Sequence, residues 1–291
     1  MPHTRYTTLI SAETLAQRLA EAPHSTLVLD CRFDLAAPEA GAEAYAVAHV
    51  DGARYLHLDR DLSGEKTGSN GRHPLPDRAT LARKLAALGL DQGMQVVAYD
   101  AQGGMYAARL WWLLRWLGHD AVAVLDGGLQ AWMTAGRPVV VDPEVLIRAP
   151  GNFVAGRALT TTVSVSEVEH NLNTHAELVI DARAPDRYRG ENETLDPRGG
   201  HIPGAVNRFF KDNLTAEGRF KPAHTLRDEF SAIIGQVPVH SVVLQCGSGV
   251  TACHNALALE LAGLQGAALY GGSWSEWSAD PARPIATGPA P

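Results

Sequence analysis

The chain repeats itself once, at the scale of a domain. "LVLDCR" at 27–32 returns as "LVIDAR" at 178–183, and "AHVDGA" at 48–53 returns as "GHIPGA" at 200–205. "VVAYDAQGG" at 96–104 returns as "VVLQCGSGV" at 242–250, and "VLDGGLQAW" at 124–132 as "LYGGSWSEW" at 269–277. Four pairs in one order, at similar intervals, imply a duplicated domain: whatever one half folds into, the other must fold into as well. The length of 291 residues agrees, since it suits about two domains.

Each copy holds short runs of Val, Leu and Ile bounded by Gly, Asp or Pro, the pattern of strands buried on both faces. Between them lie segments of helical period, such as "ATLARKLAALGL" (79–90) and "AARLWWLLRWLG" (107–118). Strands alternating with helices predict an α/β fold, each copy a mainly parallel sheet covered by helices on both faces. The expected boundaries are a first domain over 1–140, a linker over 141–160 and a second domain over 161–291. Pro143, Pro150 and Gly151 mark the linker, Pro138 stands just before it, and the tail "DPARPIATGPAP" is expected to lie on the surface or fray.

Composition excludes more than it selects. Hydrophobic residues make up 45% and charged residues 20%, the balance of an ordinary globular protein. A net charge of −7 gives no support to a nucleic-acid partner. No stretch approaches the roughly 20 apolar residues that span a bilayer, and "MPHTRYTTLI" lacks the apolar core of a secretory signal. A cytoplasmic protein with no membrane partner is the expectation. Three cysteines, Cys31, Cys246 and Cys253, do not make a disulfide framework. The twelve histidines show no metal-ligand spacing, so no metal is expected.

Cys246 stands apart from the other two. "SVVLQ" (241–245) reads as a strand and "TACHNALALELAGL" (251–264) as a helix, so Cys246 opens a loop at the carboxyl end of a parallel strand. Gly247, Ser248 and Gly249 let that loop curl with no side chain blocking its centre. Its N–H groups and the helix N-terminus can then stabilise a thiolate. The chemistry this suits is nucleophilic sulfur. Bulk at Gly247 or Gly249 is expected to block a second sulfur. Cys31 and Cys253 read as buried structural cysteines. Cysteine phosphatases close such a loop with an arginine six residues on, and Ala252 stands there, which excludes them.

"CGSGVTA" (246–252), with "DAR", "RYRG", "GHIPGA", the Gly-Gly…Trp segment and the duplication, resembles the rhodanese-fold sulfurtransferases. The resemblance is to the 3-mercaptopyruvate sulfurtransferase type and covers essentially the whole chain. It implies two tandem rhodanese-like domains, of which only the second is catalytic. Asp100 stands in copy one where Cys246 stands in copy two. By resemblance Arg187 of "RYRG" and Arg198 of "DPR" clamp the donor, with Arg189 the competing choice. The loop "GENETLDPR" is longer than usual between them. Gly247, Gly249, Val250 and Thr251 would act through backbone amides and as a helix cap. Ser248 would protonate the leaving enolate and be recharged by His73 of "GRHPLP". Asp61, or Asp59 beside it, would orient that histidine.

The implied reaction moves sulfur from 3-mercaptopyruvate through a Cys246 persulfide to cyanide or to a thiol acceptor such as thioredoxin or a small thiol. Pyruvate is released and no cofactor is needed. The alternatives are a thiosulfate:cyanide sulfurtransferase and a persulfide carrier without small-molecule turnover. Gly247 and Ser248 stand where thiosulfate enzymes carry basic residues, which favours a less charged leaving group.

Overall fold

The computed structural model describes residues 4–141 and 149–289. Pro143 and the rest of 142–148, within the expected linker, lie outside the described residues, as do Ala290 and Pro291 of the tail. The chain divides into two compact units. One comprises Met1–Ser63, Pro76–Leu159 and Ala216–Phe220, and the other Gly64–Leu75, Thr160–Thr215 and Lys221–Pro291. The change at Leu159–Thr160 lies at the end of the expected linker. The stretch 64–75, which sequence order assigns to the first half, folds with the second unit.

The first unit contains β1 (Leu9–Ile10), β2 (Thr26–Asp30), β3 (His49–Val50), β4 (Arg54–Tyr55), β5 (Gln95–Tyr99), β6 (Val122–Leu125) and β7 (Val139–Val140). Five of these form a sheet in the order β1-β6-β5-β2-β4, parallel throughout, while β3 and β7 pair antiparallel. The second unit contains β8 (Thr161–Val163), β9 (Leu178–Asp181), β10 (Val206–Asn207), β11 (Val242–Gln245) and β12 (Ala268–Tyr270). Their order is β10-β9-β11-β12-β8, again parallel. Taken in chain order, the two sheets have one topology. Even the His49↔Val140 pairing has a counterpart, the His201↔Ala286 bridge. The duplication read from four short motifs is a duplication of the fold.

Central strands are buried along their whole length. Every residue of β2, β5 and β11 is buried. Val28, Val97, Tyr99 and Trp132 anchor the first core, and Val179, Val243, Trp274 and Trp277 the second. Parallel strands need crossovers, and these are the expected helices. The segments 79–90, 107–118 and 251–264 form helices over Arg78–Ala87, Ala107–Trp116 and Thr251–Leu261. Each stops short of its periodic pattern, because Gly89, Gly118 and Gly263 adopt positive φ and turn the chain.

The repeated "LDCR" and "IDAR" are one device used twice. Arg32 pairs with Asp30 at 2.6 Å and donates to the Ala48 carbonyl at 2.6 Å. Arg183 pairs with Asp181 at 2.6 Å and donates to the Gly200 carbonyl at 2.7 Å. Each buried ion pair ties a strand end to its "AHVDGA" or "GHIPGA" segment. Burial opposes the charge on Arg183, but Asp181 outweighs it and the guanidinium is held more firmly protonated than usual.

The tail lies at the surface, as expected, but it does not hang free there. Trp277 Nε1 donates to the Pro284 carbonyl at 2.9 Å, Ala286 bridges His201, and the Gly288 N–H donates to the Arg189 carbonyl at 3.0 Å. The prolines end regular structure there, but these bonds pin the segment to its unit.

Candidate active site

β11 carries Cys246 to the carboxyl end of the second sheet, and the Thr251–Leu261 helix begins five residues later. The cysteine is 1% exposed, and its Sγ accepts the Gly249 N–H at 3.1 Å. The loop is held from outside by the segment after β12. Ser273 Oγ accepts the Cys246 N–H at 3.1 Å and donates to the Tyr270 carbonyl at 2.9 Å. The N–H groups of Trp274 and Ser275 reach the carbonyls of Cys246 and Gly247 at 3.0 and 2.9 Å. A trans peptide points its N–H opposite to its carbonyl. Drawing these two carbonyls toward Trp274 and Ser275 therefore turns the N–H groups of Gly247 and Ser248 to the other side of the loop. Ser273 adopts a left-handed φ of 55°, which is uncommon without glycine. Nothing in the sequence reading singled it out; the "GGS" turn before it was the available signal.

The two loop glycines do different things. Gly249 has φ +76°, and a methyl group there would overlap the Gly271 carbonyl, so it faces backbone and not the sulfur. A methyl at Gly247 would come within 3.0 Å of Arg72 Nη2 and 3.5 Å of Arg187 Nη1. The expectation that bulk at either position blocks a second sulfur is corrected at Gly249, where it would displace the supporting segment. The helix cap is corrected too. Val250 occupies the N-cap with no side-chain cap hydrogen bond, and Thr251 is the first helical residue.

"GRHPLP" reaches this loop within the second unit. Gly71 lies against the Gly272 carbonyl with φ +85°, Leu75 packs on Gly271, and the Arg72 N–H donates to Ser275 Oγ at 2.9 Å. That contact places His73 Nδ1 2.7 Å from Ser248 Oγ, with both side chains buried. Asp61 belongs to the first unit. Its carboxylate accepts the His57 N–H at 2.7 Å and the Lys84 ammonium at 2.6 Å. The neighbouring Asp59 donates its backbone N–H to His57 Nδ1 at 3.1 Å.

The two expected clamp arginines go to different places. Arg187 stands over Gly247 and pairs with Glu193 at 2.8 Å and Asp196 at 3.2 Å. Arg198 donates to the carbonyls of Ser278, Asp280, Pro281 and Arg283, bracing the tail. Arg189 pairs with Glu191 at 2.7 Å on the surface. Arg72, which the sequence reading passed over in favour of His73, lies beside Arg187. For Glu193 burial raises the carboxyl, but the Arg187 bonds outweigh it and hold it below the usual range. Burial pushes the Asp196 carboxyl up, against the pull of Arg72 and Arg187.

The rhodanese-like domain family matches this sequence twice, over residues 11–135 and 164–280. The chain belongs to the rhodanese family. Among curated rhodanese relatives, a protein of Pseudomonas aeruginosa named probable 3-mercaptopyruvate sulfurtransferase is 49% identical over 282 residues, covering 96% of this chain and 98% of its own. The thiosulfate sulfurtransferase of Mus musculus is 34% identical over 279 residues, covering 94% and 92%. The solved 3-mercaptopyruvate sulfurtransferase of Leishmania major superposes with a TM-score of 0.82 at 29% identity, over 96% of this chain and 76% of that one.

The first rhodanese unit has a loop of the same origin with its anion built in. Asp100 takes the place of Cys246, and its carboxylate accepts the N–H groups of Gln102, Gly104, Tyr106 and Ala107 at 2.8 to 3.0 Å. The donors that could surround a ligand are taken by the protein's own side chain.

Proposed function

We propose that this chain is a 3-mercaptopyruvate sulfurtransferase that carries sulfur on Cys246. The observation that carries the proposal is the Cys246 loop. It is a buried thiol in a cup of backbone, with the Ser248 hydroxyl beside it bonded to His73 and no charged side chain on the loop itself. The relative at 49% identity supports the choice of donor.

In the proposed reaction the Cys246 sulfur attacks the sulfur of 3-mercaptopyruvate. The carbon–sulfur bond breaks and its electron pair leaves with the enolate of pyruvate. Ser248 delivers a proton to that enolate and His73 replaces it, the logic of a relay of hydrogen-bonded groups. Arg187, above Gly247, holds the donor's carboxylate. The outer sulfur of the persulfide then passes to cyanide or a thiol, so the kinetics are ping-pong. Thiosulfate as donor is the second reading, supported by relatives of that name. It has less support from a loop without basic side chains.

The test is a paired steady-state assay of kcat/KM for 3-mercaptopyruvate and thiosulfate at one cyanide concentration, with Cys246→Ser as control. A strong preference for 3-mercaptopyruvate, lost in the control, is expected. A preference for thiosulfate would select the second reading. No turnover of either donor, with sulfur uptake from a protein persulfide, would make the chain a carrier.

A further inference from the structure

The donor proposed above brings a carboxylate to a loop with no charged side chain, and the inference here rests on that reading. Two guanidinium groups stand over Gly247. Arg187 comes from the short helix Pro185–Arg189, and Arg72 comes from the Gly64–Leu75 stretch of the same unit. Arg198, the second arginine expected from the sequence, faces backbone carbonyls of the tail. Arg72 Nη1 pairs with Asp196, whose other oxygen takes Arg187 Nη2 at 3.2 Å. The Asp196 side chain is 3% exposed and that of Arg72 25%, so one buried carboxylate joins two partly open cations.

The remaining edge of Arg72 is the informative one. Nε and Nη2 form the side of a guanidinium that takes a carboxylate through two parallel bonds. Nη2 is the atom nearest a methyl built on Gly247, and Nε is buried with no hydrogen-bond partner. A buried donor left unsatisfied is unfavourable, so a carboxylate that reaches Nη2 gains by pairing Nε as well. We propose that Arg72 binds the carboxylate of the sulfur donor together with Arg187, and that Asp196 positions the pair. Glu193 and Asp196 already balance the two cations, so the cluster accepts one further negative charge more readily than two. A monocarboxylate donor fits it better than a dianion such as thiosulfate.

The test measures 3-mercaptopyruvate kinetics for the wild type, Arg72→Lys, Asp196→Asn and Arg198→Lys. Arg72→Lys keeps a charge for Asp196 but loses the two-pronged edge. It is expected to raise KM about tenfold or more while kcat changes little, the signature of lost ground-state binding. Asp196→Asn should raise KM in the same direction, a split that a purely structural role would not produce. Uptake of sulfur by Cys246 from inorganic polysulfide, which carries no carboxylate, checks that the loop of each variant is formed. A KM for Arg72→Lys within roughly twofold of wild type overturns the inference. So does a KM rise confined to Arg198→Lys. Absence of 3-mercaptopyruvate turnover by the wild type itself would instead overturn the reading of the donor, and this inference with it.

Discussion

Cys31 and Cys246 each follow the last residue of a buried parallel strand, and their surroundings make them different groups. Burial and the neighbouring Asp30 carboxylate push the Cys31 thiol well above its ordinary range, which disfavours its thiolate. Cys246 instead receives an N–H from Gly249, and the hydroxyl of Ser248 lies two residues on, bonded to His73. If that hydroxyl relays the proton, Ser248→Ala should lower kcat for 3-mercaptopyruvate by about 10²-fold, the usual scale of general acid–base catalysis. His73→Gln should do much the same. Because the two residues act as one unit, the double variant should be little worse than either single one. Multiplicative losses in single-turnover pyruvate release would argue against a shared relay.

At the scale of the element, the loop is a piece of backbone clamped by another piece of backbone. Gly249 has positive φ and sits against the Gly271 carbonyl. Forcing a side chain into that conformation costs roughly 1–2 kcal/mol, and overlap adds to it. Gly249→Ala is therefore expected to lower Tm measurably and to reduce persulfide formation together with stability. Gly247→Ala has negative φ and meets only guanidinium ends, so it should raise KM without a comparable loss of Tm. Differential scanning calorimetry beside the kinetics separates the two, and equal losses of Tm would contradict the assignment. In the first unit the same loop depends on Asp100. Asp100→Ala strands the buried N–H groups that the carboxylate now accepts, a change of about 3 kcal/mol or more. A urea unfolding curve in which the first transition does not move would show that water replaces the carboxylate.

For the whole molecule, buried histidines make stability depend on pH. Burial pushes the imidazole of His119 in the first unit and of His201 in the second below the ordinary value of 6.5. His201 is also stacked on Tyr188, with ring centroids 3.8 Å apart. In the acid range the unfolded chain then binds protons that the folded chain does not. The stability due to the neutral rings is complete above 6.5 and is lost as pH falls through the lowered folded-state values. Tm should fall as the pH drops below about 6.5, and His201→Gln should flatten that slope. A Tm constant across this range would contradict it. No helix among the described residues is long and apolar enough to cross a membrane.

Much of this was legible in the sequence because the signals were local and repeated. Buried strands announce themselves by unbroken apolar runs, and the strand–cysteine–glycine–helix order places a thiol at the end of a parallel sheet whatever lies around it. The duplicated motifs carried the topology, since two copies of one pattern must solve the same packing problem. What the chain order could not reveal is which distant groups meet at that loop. Arg72 and Asp196 are 124 residues apart and Arg72 and Ser275 are 203 apart, and only the packing of Gly71 and Leu75 onto Gly271 and Gly272 brings them together. The same holds for Arg198, which the tail's carbonyls claim, and for Thr251, which the loop leaves one position inside the helix it was expected to cap. The sequence alone determined the fold, its duplication and the place of Cys246 at the end of a parallel strand, because each depends on neighbours in the chain. The tertiary structure decided which arginines stand over the Cys246 loop, because that depends on contacts between segments that the chain keeps far apart.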